Sequence, residues 1–211
     1  MENPVIIFGG GGLGRVALDI FQGNDVVVFG FLDDDAKLHN TEIADVTVMG
    51  GTDDDGFLKL IGKKCEAFVA SDDKKYRRHL VGLLLERRKV MPVNAVHRQA
   101  FIAPSAAIGH GNLVSAGAVI NTMARLGSHC ILHVGCLIDY QAVIGDFVQI
   151  GGGSIIGSGI TEEEGAFIGG GVTVVPGITI GKNARIGAGS VVVENVKSGA
   201  TVFGNPAKLI G

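Results

Sequence analysis

The chain has no Trp, two Tyr and only three Cys among 211 residues. Three thiols cannot all pair, and no secretory pattern accompanies them. This argues against a disulfide scaffold and for a reducing, cytoplasmic setting. With only five Pro, a collagen-like chain is excluded. Charge is sparse as well, at 18% of residues and a net −3, which leaves no basic footprint for nucleic acid. No apolar run approaches the ~20 residues of a membrane span. The N-terminal run Pro4 to Phe8 is too short for a signal peptide and lacks the positive flank. What abounds is Gly, with 34 residues, alongside 46% hydrophobic residues and a mean hydropathy of +0.38. That is enough apolar side chain for a core. The expectation is a soluble, Gly-rich, cytoplasmic protein.

Residues 1–95 read as alternating strand and helix. Val5-Ile6-Ile7-Phe8 is continuously apolar, as expected of a strand buried on both faces of a parallel sheet. A Gly-rich turn, Gly9 to Gly14, leads into a helical pattern over Arg15 to Phe21, with Val16, Leu18 and Ile20 apolar. Val26 to Leu32 predicts a second strand ending at Asp33-Asp34-Asp35, Ala67 to Ala70 a third, and Lys74 to Arg88 a basic amphipathic helix. The pattern is a small α/β, Rossmann-like domain.

Residues 96–211 follow a different rule. Stepping by six from Ile102 to Val192 passes sixteen positions, and fifteen are Ile, Leu or Val. Gly often follows them, as at Gly109, Gly127, Gly145, Gly151 and Gly169. A period of six fits a β-solenoid, in which short straight segments alternate with tight turns. Three hexads make one triangular coil. The exception is Glu162, in Thr161-Glu162-Glu163-Glu164-Gly165; a buried carboxylate is costly unless paired or protonated, so that rung is expected to bulge outward. Cys130 and Cys136 fall at inward small-residue positions and read as core.

Gly9-Gly10-Gly11-Gly12-Leu13-Gly14 satisfies G-x-G-x-x-G between a strand and a helix, and Asp33 lies nineteen residues beyond Gly14. Glycines let phosphate approach backbone at a helix N-terminus, and the acid binds ribose hydroxyls. A mononucleotide diphosphate, NAD(P) and a mere packing turn all remain open. The domain is only half the size of a full NAD-binding sheet.

Five segments occur in one order: Phe8-Gly-Gly-Gly-Gly-Leu-Gly14, Phe31-Leu-Asp-Asp34, Val93-Asn-Ala-Val-His97, Ile102-Ala-Pro-Ser-Ala-Ala-Ile-Gly109, and Val202-Phe-Gly-Asn-Pro-Ala-Lys208. This order resembles the bacterial sialic acid O-acetyltransferase and nucleotide-sugar N-acetyltransferase family (NeuD/PglD type). Those enzymes are hexapeptide-repeat acyltransferases with a left-handed parallel β-helix, an exception to the usual crossover hand. The resemblance implies acetyl transfer from acetyl-CoA to a nucleotide-linked amino sugar, in surface polysaccharide or glycoprotein synthesis. It implies a homotrimer with acetyl-CoA between adjacent β-helices, near Ser158, Gly170, Gly171, Ala188 and Pro206. A backbone N–H near Ser158 then serves the developing oxyanion. The nucleotide is implied at Gly9, Gly11, Gly12, Leu13, Asp33, Asp34 and Ser71. Relatives carry a Gly- and Asn-containing loop after the third strand; here stands Ser71-Asp72-Asp73-Lys74-Lys75, whose carboxylates repel a diphosphate.

In relatives, the segment matching His133 to Tyr140 reads Asn-Thr and then an acid followed by the general-base His. Here the acid is Asp139, but the His position is Tyr140, the Asn position is His133, and a second His of one branch is Gln149. Three readings stand. The imidazole has moved, with His133 as base, Asp139 orienting it and Tyr140 donating a hydrogen bond. Alternatively Tyr140 serves, or the substrate amine needs no protein base, although a phenol is mostly protonated at neutral pH. In the third, turnover is lost and the chain only binds nucleotide sugar or CoA. No Ser, Cys or Lys stands beside a base as nucleophile, so direct attack is expected over a covalent enzyme. The γ-class carbonic anhydrases share the β-helix and bind zinc through three His. His129 and His133 have neither the spacing nor a common face, so no metal site is expected.

Overall fold

The structure, a computed structural model, describes residues 3–210 and divides into two compact units after Arg98. In the first unit, β1 (Val5–Phe8) is flanked by β2 (Val28–Leu32) and β5 (Glu66–Val69), both parallel to it. Its four residues are all buried, which explains their lack of alternation. Helix α1 (Gly12–Gly23) is longer than Arg15 to Phe21 because it starts within the Gly-rich turn. It buries Leu18, Ile20 and Phe21, but Val16 is 40% exposed. Strand β2 begins at Val28, not Val26, since the Val26 amide still donates to the Phe21 carbonyl and completes the helix exit. Residues 36–65, unassigned from sequence, contain β3 (Glu42–Ile43) antiparallel to β4 (Val46–Gly50), and the single turn α2 (Asp55–Leu58). Strand β4 extends the sheet beside β2. Helix α3 (Lys74–Arg88) has the expected bounds: Asp73 caps it by accepting from the Lys75 and Tyr76 amides, and left-handed Lys89 ends it.

The second unit is a parallel β-helix of two-residue strands. The chain visits three sheets in turn, here I, II and III, starting at Phe101–Ile102, Ala107–Ile108 and Leu113–Val114. Through the coils the strands pair in parallel with those eighteen residues on, and Arg185–Ile186 with Thr201–Val202, sixteen on. Inward columns such as Ile102-Ile120-Ile138-Ile156 fill the core, and Cys130 and Cys136 are fully buried in it. Turns need left-handed backbone. At the edge from III to I it is supplied by Gly117, Gly135, Gly153, Gly171 and Gly189, with φ between 65° and 70°.

The expected outward bulge at Glu162 does not occur. Thr161–Glu162 pairs in register with Val143–Ile144 and Thr179–Ile180, and Glu162 is 1% exposed, with no hydrogen bond to either carboxylate oxygen. Expelling it would break the ladder on both sides, so the fold keeps the pairing and buries the acid. Burial pushes its titration up to about 8. Its neighbours do face outward: Glu163 accepts from the Lys182 amide, and Glu164 pairs with the Lys182 ammonium at 2.7 Å.

Candidate active site

At the C-terminal ends of β1, β2, β4 and β5, the Gly-rich turn contains two kinds of glycine. A Cβ on Gly9 would stand 2.5 Å from the Ala70 carbonyl oxygen, and one on Gly14 2.0 Å from that of Gly9, so these two are packing residues. Gly11 and Gly12 face open space, with nothing within 4 Å of a Cβ. Gly11 is the N-cap of α1 and supplies no side-chain acceptor, which leaves first-turn amides available to an anion. Leu13 is buried beneath them.

Asp33 ties this turn in place. One carboxylate oxygen accepts the Gly10 amide at 2.7 Å and the other the Asp35 amide at 2.8 Å, while the Asp33 carbonyl accepts from His39 Nε2. Asp34 accepts the Thr52 amide and hydroxyl at 2.9 and 2.7 Å, and the Tyr76 phenol at 2.6 Å. Burial opposes ionisation of Asp34; bonds from Tyr76 and Thr52 outweigh it and hold the carboxyl below its ordinary value. Burial and the bond to Asp34 push Tyr76 up to about 12, so the phenol stays a donor. Both acids expected at the ribose are thus already engaged within the protein, and only their remaining lone pairs are left for a ligand. The Ser71 carbonyl accepts from the buried Arg77 guanidinium at 2.5 Å. Asp73, in the charged loop after β5, is a helix cap, and the Tyr76 and Lys75 amides keep its carboxyl below the ordinary value.

In the β-helix, the catalytic candidates fall on two different edges. His133 lies at the III–I edge, where its Nε2 is 3.1 Å from Nε2 of Gln149 on the next coil of sheet III. Asp139 and Tyr140 lie at the I–II edge. There Asp139 accepts from Asn121 Nδ2 at 3.0 Å and from the Tyr140 amide at 2.7 Å, and Tyr140 is 50% exposed. One hexad carries the chain across a whole face, so sheet I separates the two groups. Asp139 therefore does not orient His133 within one chain, which corrects that expectation. Ser158 follows Tyr140 by one coil, the Gly159 amide donating to the Tyr140 carbonyl.

Beyond His133 the III–I edge is nearly bare backbone: Gly151 to Gly153, Gly169 to Gly171, then Gly187-Ala188-Gly189. A Cβ at Gly153, Gly171 or Gly189 would meet nothing within 4 Å. His129 lies at the II–III edge, its ring tilted by 35° against that of Phe147 at 4.8 Å. Among the described residues, no three His, Cys, Asp or Glu converge as a metal site requires.

The PglD N-terminal domain profile matches residues 4–84, and the bacterial transferase hexapeptide (six repeats) profile matches residues 163–193. No curated protein sequence matches the chain. Among solved structures, a histidine-to-alanine mutant of GDP-perosamine N-acetyltransferase from Caulobacter crescentus, in complex with CoA and GDP-perosamine, is 31% identical. The match covers 100% of this chain and 98% of that one, with a TM-score of 0.90. The chain belongs to the NeuD/PglD family of sugar acetyltransferases.

Two further members of similar fold are the acetyltransferase domain of PglB from Neisseria gonorrhoeae, in complex with acetyl coenzyme A, and WeeI from Acinetobacter baumannii. The first is 25% identical over 100% of both chains, with a TM-score of 0.89. The second is 25% identical over 98% and 99%, with a TM-score of 0.84. As a NeuD/PglD-type acetyltransferase, the chain pairs a Rossmann-like unit with a left-handed β-helix. Sequence reasoning missed Thr52 and Tyr76 in the first unit, and Gln149 as the partner of His133. Tyr76 follows the Asp73 cap by three residues, but only the sheet order brings α3 beside the end of β2.

Proposed function

We propose that this acetyltransferase uses acetyl-CoA to N-acetylate a nucleotide-linked amino sugar in the cytoplasm, for a surface glycan or glycoprotein, at a site assembled between protomers of a homotrimer. One observation carries the assembly. The outward column of sheet I, Phe101, Val119, Leu137, Ile155, Thr173 and Val191, has no charge, and Phe101 and Ile155 are 54% and 49% exposed. An exposed column that is apolar at every rung but Thr173 marks an interface. Packing three such faces around an axis brings the III–I edge of each protomer against the I–II edge of the next. His133, Gln149 and the glycine strip of one protomer then face Tyr140, Asp139 and Ser158 of its neighbour.

The chemistry follows from that arrangement. Acetyl-CoA supplies the activated acyl group, and the bare strip through Gly170, Gly171 and Ala188 fits its thin arm. The amine attacks the thioester carbonyl while His133 accepts its proton; the C–S bond then breaks, and CoA leaves as the thiol, taking up that proton. Tyr140 donates a hydrogen bond, and the backbone at Ser158 meets charge developing on the carbonyl oxygen. Open amides at Gly11 and Gly12 take the nucleotide diphosphate. The relative at 31% identity was solved with GDP-perosamine, so a GDP-linked amino sugar is the first expectation. Thioester consumption across GDP-, UDP- and dTDP-linked amino sugars tests this; no turnover with any of them would sink the enzymatic reading.

Two substitutions separate the parts. Ile155→Asp puts a charge at the centre of the outward column without touching the core. It is expected to convert a particle of about three times 21.8 kDa into monomers in sedimentation, with activity lost. An active monomer refutes the shared site. Gly11→Val adds a side chain where the fold has room, so it should lower nucleoside diphosphate affinity by at least about tenfold with Tm unchanged. Tight, selective NAD(H) binding by calorimetry would instead indicate a redox protein.

A further inference from the structure

The turn at the I–II edge recurs coil after coil, and three successive copies differ at their first residue. Asn121 accepts the Thr122 amide on Oδ1 at 2.7 Å, and Asp139 accepts the Tyr140 amide on Oδ1 at 2.7 Å. The third copy starts at Gly157 and forms the same turn with no side chain at all. The backbone therefore requires neither a carboxyl nor a charge at this position, yet Asp139 brings one. Its Oδ1 takes both of its bonds, the second from Asn121 Nδ2 at 3.0 Å, and no described residue bonds Oδ2. The turns at 103–106, 121–124, 139–142 and 157–160 hold no Lys, Arg or His. Among the described residues Asp139 forms no ion pair. A half-buried carboxylate thus keeps one oxygen spare, with only a glycine on the next coil. An ionised carboxylate has lone pairs for several donors, and a cationic donor makes the strongest of such bonds.

We propose that the free oxygen of Asp139 receives the amino group of the acceptor sugar and makes the acceptor an amine and not a hydroxyl. The inference rests on the acetyltransfer reading above and adds acceptor selection to it. An ammonium group held there releases one proton to water and attacks as the free amine. As its lone pair forms the C–N bond, the carbonyl π pair moves to oxygen and the nitrogen becomes positive. Asp139 faces that charge until His133 of the neighbouring protomer takes the proton. The C–S bond then breaks, and the departing thiolate takes the proton from His133. A hydroxyl in the same place has no charge before attack and forgoes the charge-assisted bond.

Asp139→Asn tests this with the least disturbance. Its Oδ1 can keep both present bonds, while the free oxygen becomes an N–H donor that repels an amine's own donors. Calorimetry compares whichever GDP-, UDP- or dTDP-linked amino sugar binds best with its analogue bearing a hydroxyl in place of the amine. Wild type should prefer the amino compound by about 10- to 100-fold, the worth of a hydrogen bond to a charged group. Asp139→Asn should abolish that preference and lower kcat/KM for the amino compound by a similar factor. Affinity for the free nucleoside diphosphate, the KM for acetyl-CoA, Tm and the sedimentation coefficient should stay as in wild type. A wild type without the preference overturns the proposal, as does a variant that keeps it. A loss that extends equally to the hydroxyl analogue or to Tm assigns Asp139 to the turn alone and also overturns it. Should wild type consume no thioester with any amino sugar, the acetyltransfer reading fails, while the binding preference still decides the role of Asp139.

Discussion

Replacing His133 with alanine is expected to lower kcat by ~10² to 10⁴-fold, the usual contribution of a positioned imidazole to proton transfer, with the KM for acetyl-CoA nearly unchanged. Gln149 is the neighbour that governs the state of the imidazole. Its contact with Gln149 joins two nitrogens, so the amide donates, Nε2 accepts, and the ring proton rests on Nδ1. Turning the amide presents Oε1 instead, which fixes the proton on Nε2 and frees Nδ1 to take one from the amine. In that second orientation Gln149 supports the base, and Gln149→Leu should reduce kcat by a smaller factor than His133→Ala. Asp139, engaged with Asn121 on the I–II edge, would reach the reaction from the neighbouring protomer of the proposed trimer. Tyr140→Phe should cost about fivefold, on the order of one hydrogen bond, ~1 kcal/mol. An active wild type indifferent to His133→Ala rules out the imidazole as base and leaves Tyr140 or the substrate's own free amine. A wild type without turnover that gains activity from Tyr140→His shows that the chain is a binding homologue.

Replacing Glu162 with isoleucine is expected to stabilise the protein at neutral and higher pH. The acid stands in the inward column between Ile144 and Ile180, with both oxygens unpartnered. Cys136, also buried and itself pushed up to about 12, chiefly by burial, lies close enough to feel the Glu162 charge. Burial raises Glu162 in the folded state from the ordinary 4.5 to about 8. The native chain therefore keeps a proton that the unfolded chain releases. Stability is highest below pH 4.5, falls across the interval up to about 8, and is flat beyond it. At pH 8 the deficit is on the order of 4 kcal/mol. Glu162→Ile should remove it, raising Tm by on the order of 10 °C and abolishing the slope between pH 5 and 8. Glu162→Gln should abolish the slope too, but with a smaller gain, because an unpaired amide stays buried. A wild-type Tm that does not change across this interval refutes the account.

The six-residue period, the apolar β1 run and the basic helix were legible in the sequence because each depends on local geometry; the Asp73 cap of that helix was not. The roles of the glycines were legible only in part. Spacing singled out Gly9 to Gly14 as one motif, but the positions of Ala70 and the Gly9 carbonyl separate packing glycines from the open pair Gly11 and Gly12. The partners of the second acid were not legible, since Thr52 and Tyr76 are brought to Asp34 by β4 and α3 from 18 and 42 residues away.

By itself, the sequence determined which residues point inward along the coil, where each turn falls, and that a Rossmann-like unit precedes the solenoid. Hydrophobic period and glycine placement are properties of neighbours along the chain, and a solenoid repeats them without needing distant contacts. Tertiary structure decided the rest. It set His133 beside Gln149 and a full face away from Asp139, and kept Glu162 inside. Each of these depends on stacking between coils eighteen residues apart, where an intact hydrogen-bonded ladder outweighs the preference of any single side chain.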